Sequence, residues 1–138
     1  MKSFHIIIDS VGLKAEHLQN CRFYIHEKIP STFKRIGLKS IAITLDSSMI
    51  FKNVYVHCDL LNKDDNLFNG GRSDILAVVA NNRHVPKKYL FYQFENCIYK
   101  NIKSSDFNSI QLSLTDYNND PYEINGGLTI TYELELIK

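Results

Sequence analysis

The sequence predicts an all-β domain, an antiparallel β-sandwich of jelly-roll type with about eight strands. Three observations carry this: apolar and polar residues alternate with a period of two over most of the chain, helical periodicity is nearly absent, and turn-forming clusters punctuate the alternating runs. The chain's 138 residues fit one domain spanning 1–138, with no internal repeat or linker to divide it. A domain of that size buries roughly 68–70% of the surface its unfolded chain exposes, enough for a self-sufficient core.

The opening strand is read from Phe4, Ile6 and Ile8, alternating with His5 and Ile7. A short helix is expected over residues 13–19, where Leu13, His17 and Leu18 share a face. Cys21, Phe23 and Ile25 then alternate with Arg22, Tyr24 and His26. Residues 28–35 read as a loop around Ile29-Pro30, and Ile41, Ile43 and Leu45 as the next strand. Val54, Val56, Cys58 and Leu60 stand opposite Tyr55, His57 and Asp59. A polar run over 61–73 ends in Asn69-Gly70-Gly71-Arg72, and the more continuously apolar stretch 74–80 suits a strand covered on both faces. After a loop carrying Val85-Pro86, strands are expected over 89–95 and 97–102.

The last two strands are the clearest. Ile110, Leu112 and Leu114 alternate with Gln111, Ser113 and Thr115, while Leu128, Ile130, Tyr132, Leu134 and Leu136 lie opposite Thr129, Thr131, Glu133 and Glu135. Between them residues 116–121 form a turn-forming cluster with Pro121, whose Asp and Asn side chains bond locally and tolerate left-handed backbone. A hairpin joining the two strands is expected, with Asn125-Gly126-Gly127 as a bulge or second turn before the last strand.

Composition narrows the function classes. Sixteen Lys plus Arg against fifteen Asp plus Glu leave a formal net charge of +1, which creates no broad field for a polyanion and disfavours nucleic acid as the main ligand. The apolar run Ile6-Ile7-Ile8 is too short for a signal-peptide core, and no stretch is long enough to span a bilayer. The three cysteines, Cys21, Cys58 and Cys97, are odd in number and well separated, and no Asn-x-Ser/Thr acceptor occurs. A non-secreted protein with free, buried thiols is therefore expected. Membrane insertion, metal and cofactor are not expected.

No catalytic constellation stands out. His57, Cys58 and Asp59 are consecutive, but strand neighbours point to opposite faces, so Cys58 is expected in the core and His57 on the surface. Asp64, Asp65 and Asp74 lack the ligand spacing of a calcium loop. Gly70-Gly71-Arg72 lacks the Lys-Ser/Thr and the following helix of a phosphate cradle. Lys34, Arg35 and Lys39, and separately Arg83, Lys87 and Lys88, read as loop charges. The aromatic run Tyr89, Phe91, Tyr92, Phe94 and Tyr99 has two readings of equal standing, as interface anchors or as core packing.

Three stretches resemble the small single jelly-roll capsid proteins, penton or minor capsid, of Polinton (Maverick) elements and virophages. The first is Asn20-Cys21-Arg22-Phe23-Tyr24-Ile25, then a Pro-containing loop into Lys39-Ser40-Ile41-Ala42-Ile43-Thr44-Leu45. The second is Val54-Tyr55-Val56-His57-Cys58-Asp59-Leu60, followed by Asp74-Ile75-Leu76-Ala77-Val78-Val79. The third is 107–116, a polar turn, and Gly126-Gly127-Leu128-Thr129-Ile130-Thr131. A tryptophan expected near residues 40–43 is absent, since the chain has none. The resemblance implies a structural virion protein made in the cytoplasm or nucleus of a host cell, assembling with itself, a pentamer first, and with the major capsid protein of the same particle. It implies no enzymatic activity. The alternative is a β-sandwich binding module that recognises a protein or glycan through its end loops, including a capsid-derived protein retained by a host.

Self-assembly also follows from the strands. Residues 54–60 carry only Asp59 as a charge and 109–115 carry none, so either would be a poorly protected edge if it lay at one. Tyr55, Tyr89, Tyr92 and Tyr99 are the expected anchors of such a contact, with Arg72 and Arg83 at its rim.

Overall fold

Sixteen residues, Arg35–Ile50, form the longest strand and the spine of one sheet. In the computed structural model, residues 3–9, 20–25, 28–30, 32–62, 74–80, 86–104, 107–118, 120, 122 and 128–138 are described. The regular elements among them are nine strands: β1 (Ser3–Asp9), β2 (Asn20–Tyr24), β3 (Arg35–Ile50), β4 (Val54–Cys58), β5 (Ile75–Val79), β6 (Pro86–Gln93), β7 (Lys100–Asn101), β8 (Ser109–Thr115) and β9 (Leu128–Ile137). No described helix is long and apolar enough to cross a membrane. The helix expected over 13–19, the Gly-rich stretches 69–72 and 125–127, and Arg72 and Arg83 lie outside the described residues.

The strands form two antiparallel sheets, β1-β9-β3-β6, with β7 also paired to β3, and β2-β8-β4-β5. Among the described pairings, β4 and β5 are the consecutive strands that join each other directly; the others find partners distant in sequence. The chain thus passes repeatedly from sheet to sheet, and the strand order is that of a jelly roll. The fold class expected from the sequence holds.

Alternation put the core residues on the correct faces. Ile130, Tyr132, Leu134 and Leu136 of β9 meet Val54, Val56 and Cys58 of β4 and Ile110, Leu112 and Leu114 of β8 in one buried cluster. The core face of β3 changes parity, from Ile36 and Leu38 to Ile41 and Ile43. A register shift between Leu38 and Ser40 against β9 accounts for this: Lys39 is the extra residue of a bulge, and one extra residue exchanges the faces. A similar shift on β5 buries both Ile75 and Leu76.

Several expectations need correction. β8 and β9 stand in different sheets, so residues 116–121 close no hairpin. The local turn forms nonetheless: the Asp116 carboxylate accepts the N–H of Asn118 at 2.8 Å and of Asp120 at 3.0 Å. Alternation fixes which face of a strand is buried but not its partner, and β9 pairs with β1 and β3 instead. Neither β4 nor β8 is an edge, because each has a neighbour on both sides. Arg35 and Lys39 belong to β3, and Lys87 and Lys88 to β6, rather than to loops.

One close approach depends on a glycine. A Cβ at Gly37 would overlap the Cys97 sulfur and lie 2.9 Å from Tyr99 Cδ1 and 3.1 Å from the Ile98 carbonyl oxygen. The absent side chain lets segment 97–99 lie on β3, where the Cys97 thiol donates to the Leu38 carbonyl at 3.3 Å.

Candidate functional site

Among the described residues β6 is an edge strand, and it carries three exposed aromatic residues, Tyr89, Phe91 and Tyr92. Pro86, which has no N–H to place in a ladder, opens the strand opposite Ile50. Leu90 turns into the core and is 5% exposed, whereas Tyr89 and Phe91 on the opposite face are 55% and 51% exposed. Their rings stack, with centroids 6.5 Å apart and planes 4° from parallel. Tyr92, also exposed, meets Phe94 edge to face at 4.7 Å, and Phe94 is partly buried against the core.

The backbone of β6 has a defined direction. Phe94 N–H donates to the Lys39 carbonyl at 2.9 Å, and the pairing of β6 with β3 keeps that register back through Ser40–Gln93 to Thr44–Tyr89. Antiparallel ladders alternate, so Leu90, Tyr92 and Phe94 bond to β3, while the N–H and C=O groups of Tyr89, Phe91 and Gln93 point away from it. No side chain from Tyr89 to Phe94 carries a charge, and Lys87, Lys88 and Glu95 flank the run. An edge of this kind offers both ladder hydrogen bonds and apolar contact to another strand.

The other expected anchors are placed differently. Tyr55 is only 5% exposed and packs edge to face on Tyr117, so it is a packing residue on the outer side of β4. Tyr99 is half-buried, and its hydroxyl donates to Glu135 Oε1 at 2.7 Å. That bond to a carboxylate holds the phenol's pKa well above its usual value. Glu135 also meets His5 Nε2 at 2.9 Å and Lys39 Nζ at 4.0 Å, so Tyr99 belongs to a polar network on the outer face of the β1-β9-β3 layer. Of the four tyrosines, Tyr89 and Tyr92 lie on β6, on opposite faces of the strand, Tyr89 stacked on Phe91 and Tyr92 against Phe94.

A second cluster lies on the outer face of the other sheet. His57 is buried, not at the surface as expected, with Nδ1 3.0 Å from Asp74 Oδ1 and Nε2 2.7 Å from Thr115 Oγ1. A carboxylate, an imidazole and a hydroxyl in that order have the connectivity of a nucleophile relay. Here, however, Thr115 is only 7% exposed and its hydroxyl also has the Asp116 carbonyl as an acceptor at 3.1 Å. The arrangement ties β4, β8 and the approach to β5 together. Strand alternation missed it because all of β4 is buried, on both faces.

Cys58 is 1% exposed within the core, and burial pushes its thiol pKa up to about 12. An apolar cleft of about 200 Å³ lies between β5 and segment 94–100, lined in part by Leu76, Val78, Phe94 and Ile98. Lys100 at its wall donates to the Ile75 carbonyl, and burial lowers its pKa. Among the described residues, no group of three or more His, Cys, Asp or Glu side chains is placed to hold a metal ion.

No family model matches the chain, and no curated protein matches it. Among solved structures, the chain is similar to one in the X-ray structure of tomato aspermy virus, with 14% identity and a TM-score of 0.30 over 99% of this chain and 78% of that one. The fold assignment rests on the strand order and register described above.

Proposed function

We propose that this chain is a non-enzymatic structural subunit of a virion shell that assembles through the aromatic edge of β6. The observation that carries self-assembly is the uncharged edge run 89–94, with Tyr89, Phe91 and Tyr92 exposed beside outward-pointing backbone groups. The virion role rests on the strand phrases that resemble Polinton and virophage capsid proteins, and on a jelly-roll architecture such proteins share with many others. On that resemblance the subunit is a penton or minor capsid protein, with the major capsid protein of the same particle as its second partner and the virion as its location.

The competing reading, a binding module acting through end loops, draws on a shallow cleft beside the 116–120 turn. There an exposed Tyr117 stands with Asp116, Asn118, Lys52 and Asn53, groups suited to a polar ligand such as a glycan. Sedimentation of the full chain at micromolar concentration separates the two. Assembly is expected, and Tyr92→Ala should weaken it while leaving the melting temperature within a few degrees of the parent. A chain that stays monomeric at its highest soluble concentration would overturn the assembly reading.

A further inference from the structure

The mate that the β6 edge fits best, resting on the assembly reading above, is itself. We propose that β6 pairs with β6 of a second copy in one antiparallel register, Phe91 opposite the partner's Phe91, on a two-fold axis. The direction of the backbone restricts the pairing to registers that set outward residues against one another. Outward-pointing groups sit on Tyr89, Phe91 and Gln93, and centring the pair on Phe91 sets Tyr89 against the partner's Gln93 and Gln93 against the partner's Tyr89. Every outward residue of the uncharged run 89–93 in both copies then lies in a bonded pair, giving about six hydrogen bonds, two at each of three pairs. A slip by one residue sets outward-pointing groups against groups already bonded to β3. A slip by two residues breaks up the Phe91–Phe91 pair, in one direction setting Lys87, which is outward-pointing by the same alternation, against the partner's Gln93, and in the other carrying Tyr89 past the end of the partner's uncharged run.

The side chains select the register centred on Phe91. Residues directly opposite one another share a face, so Phe91 meets the partner's Phe91 with Cβ atoms roughly 4.5–5.5 Å apart. Tyr89 already stacks on Phe91 within each copy, and the seam becomes a continuous row of aromatic rings. At the two ends, Lys87 falls opposite the partner's Glu95. β6 ends at Gln93, and the exposed Glu95 follows it in a bend at the end of the strand that this register brings to the partner's Lys87. Slipping by two residues moves Lys87 opposite Gln93 or Cys97 and loses that charge match. The symmetric contact is isologous, so it joins two copies and does not by itself propagate a ring. A five-fold ring would have to use a different surface.

Charge exchange in the full chain tests the register. Lys87→Glu alone and Glu95→Lys alone each place like charges opposite one another twice per dimer. Each should raise the dimer dissociation constant about tenfold or more, and the double variant should return it to within about threefold of the parent. Gln93→Pro removes an outward N–H that β3 does not use, so it should weaken the dimer while the melting curve stays close to the parent's. A dimer indifferent to both single reversals and to Gln93→Pro would overturn this register and leave assembly by other surfaces standing. A parent chain that never dimerises would overturn the register and the assembly reading together.

Discussion

Leu134 lies at the centre of β9, opposite Ile6 on one side and Leu38 on the other, with no exposed surface. Leu134→Ala removes three buried carbons, about 2.4 kcal/mol of transfer free energy at roughly 0.8 kcal/mol each. The neighbouring strands are hydrogen-bonded on both sides and cannot close the gap, so a cavity contribution of about 1–2 kcal/mol adds to this, within the range observed for buried leucines. At about 2.1 cal/mol/K per residue, unfolding 138 residues carries an entropy near 0.29 kcal/mol/K. A loss of about 3–4 kcal/mol then lowers the melting temperature by about 10–14 °C. Thermal melting followed by far-ultraviolet circular dichroism measures this directly. Thr131→Val, on the opposite face of the same strand, is the control and should change stability by no more than about 0.5 kcal/mol. An effect of that small size for Leu134→Ala would mean the strand's faces are assigned the wrong way round.

Three further outcomes follow from other parts of the molecule. Gly37→Ala should lift segment 97–99 from β3, destabilise the fold by about 1–3 kcal/mol and speed labelling of the Cys97 thiol; an unchanged labelling rate would contradict the close approach. Burial pushes Cys58 from 9.0 and Tyr122 from 10.0 up to about 12, so the folded state keeps protons that the unfolded chain gives up. Stability should therefore be full below about pH 9 and decline towards pH 12. Cys58→Ala should shallow that decline, and a flat profile across the window would count against the buried thiol. For the buried network, a double-mutant cycle between His57→Phe and Thr115→Val should give a coupling of about 0.5–3 kcal/mol, whereas additive effects would deny the bond.

The fold class was legible because period-two alternation reports burial directly. Leu134 and Cys58 were placed on the core side from their neighbours alone, and both are buried. Partner choice was not legible: residues 110–114 and 128–136 flank a turn-rich segment, yet the chain crosses between sheets there. The deciding interactions are those of β9 with β1 and β3, more than 80 residues away in sequence. The long β3 was read only from Ile41 onward because the bulge at Lys39 breaks the alternation that would have extended it. For the proposed contact surface, the aromatic run marked Tyr89 and Tyr92, but sequence could not separate them from Tyr55 and Tyr99. That separation depends on which strand is an edge and on where Glu135 lies. Phe91 belongs to the same run, and its two-residue spacing to Tyr89 puts both on one face of β6.

Residue-resolved hydrogen exchange at two protein concentrations distinguishes pairing through β6 from assembly by any other surface. In dilute solution the amides of Leu90 and Tyr92, bonded to β3, should be protected, while those of Tyr89, Phe91 and Gln93 exchange freely. At concentrations where the sedimenting mass has doubled, the Phe91 amide should become protected along with its two outward neighbours. A rise in mass with the Phe91 amide still exchanging freely would contradict assembly through β6.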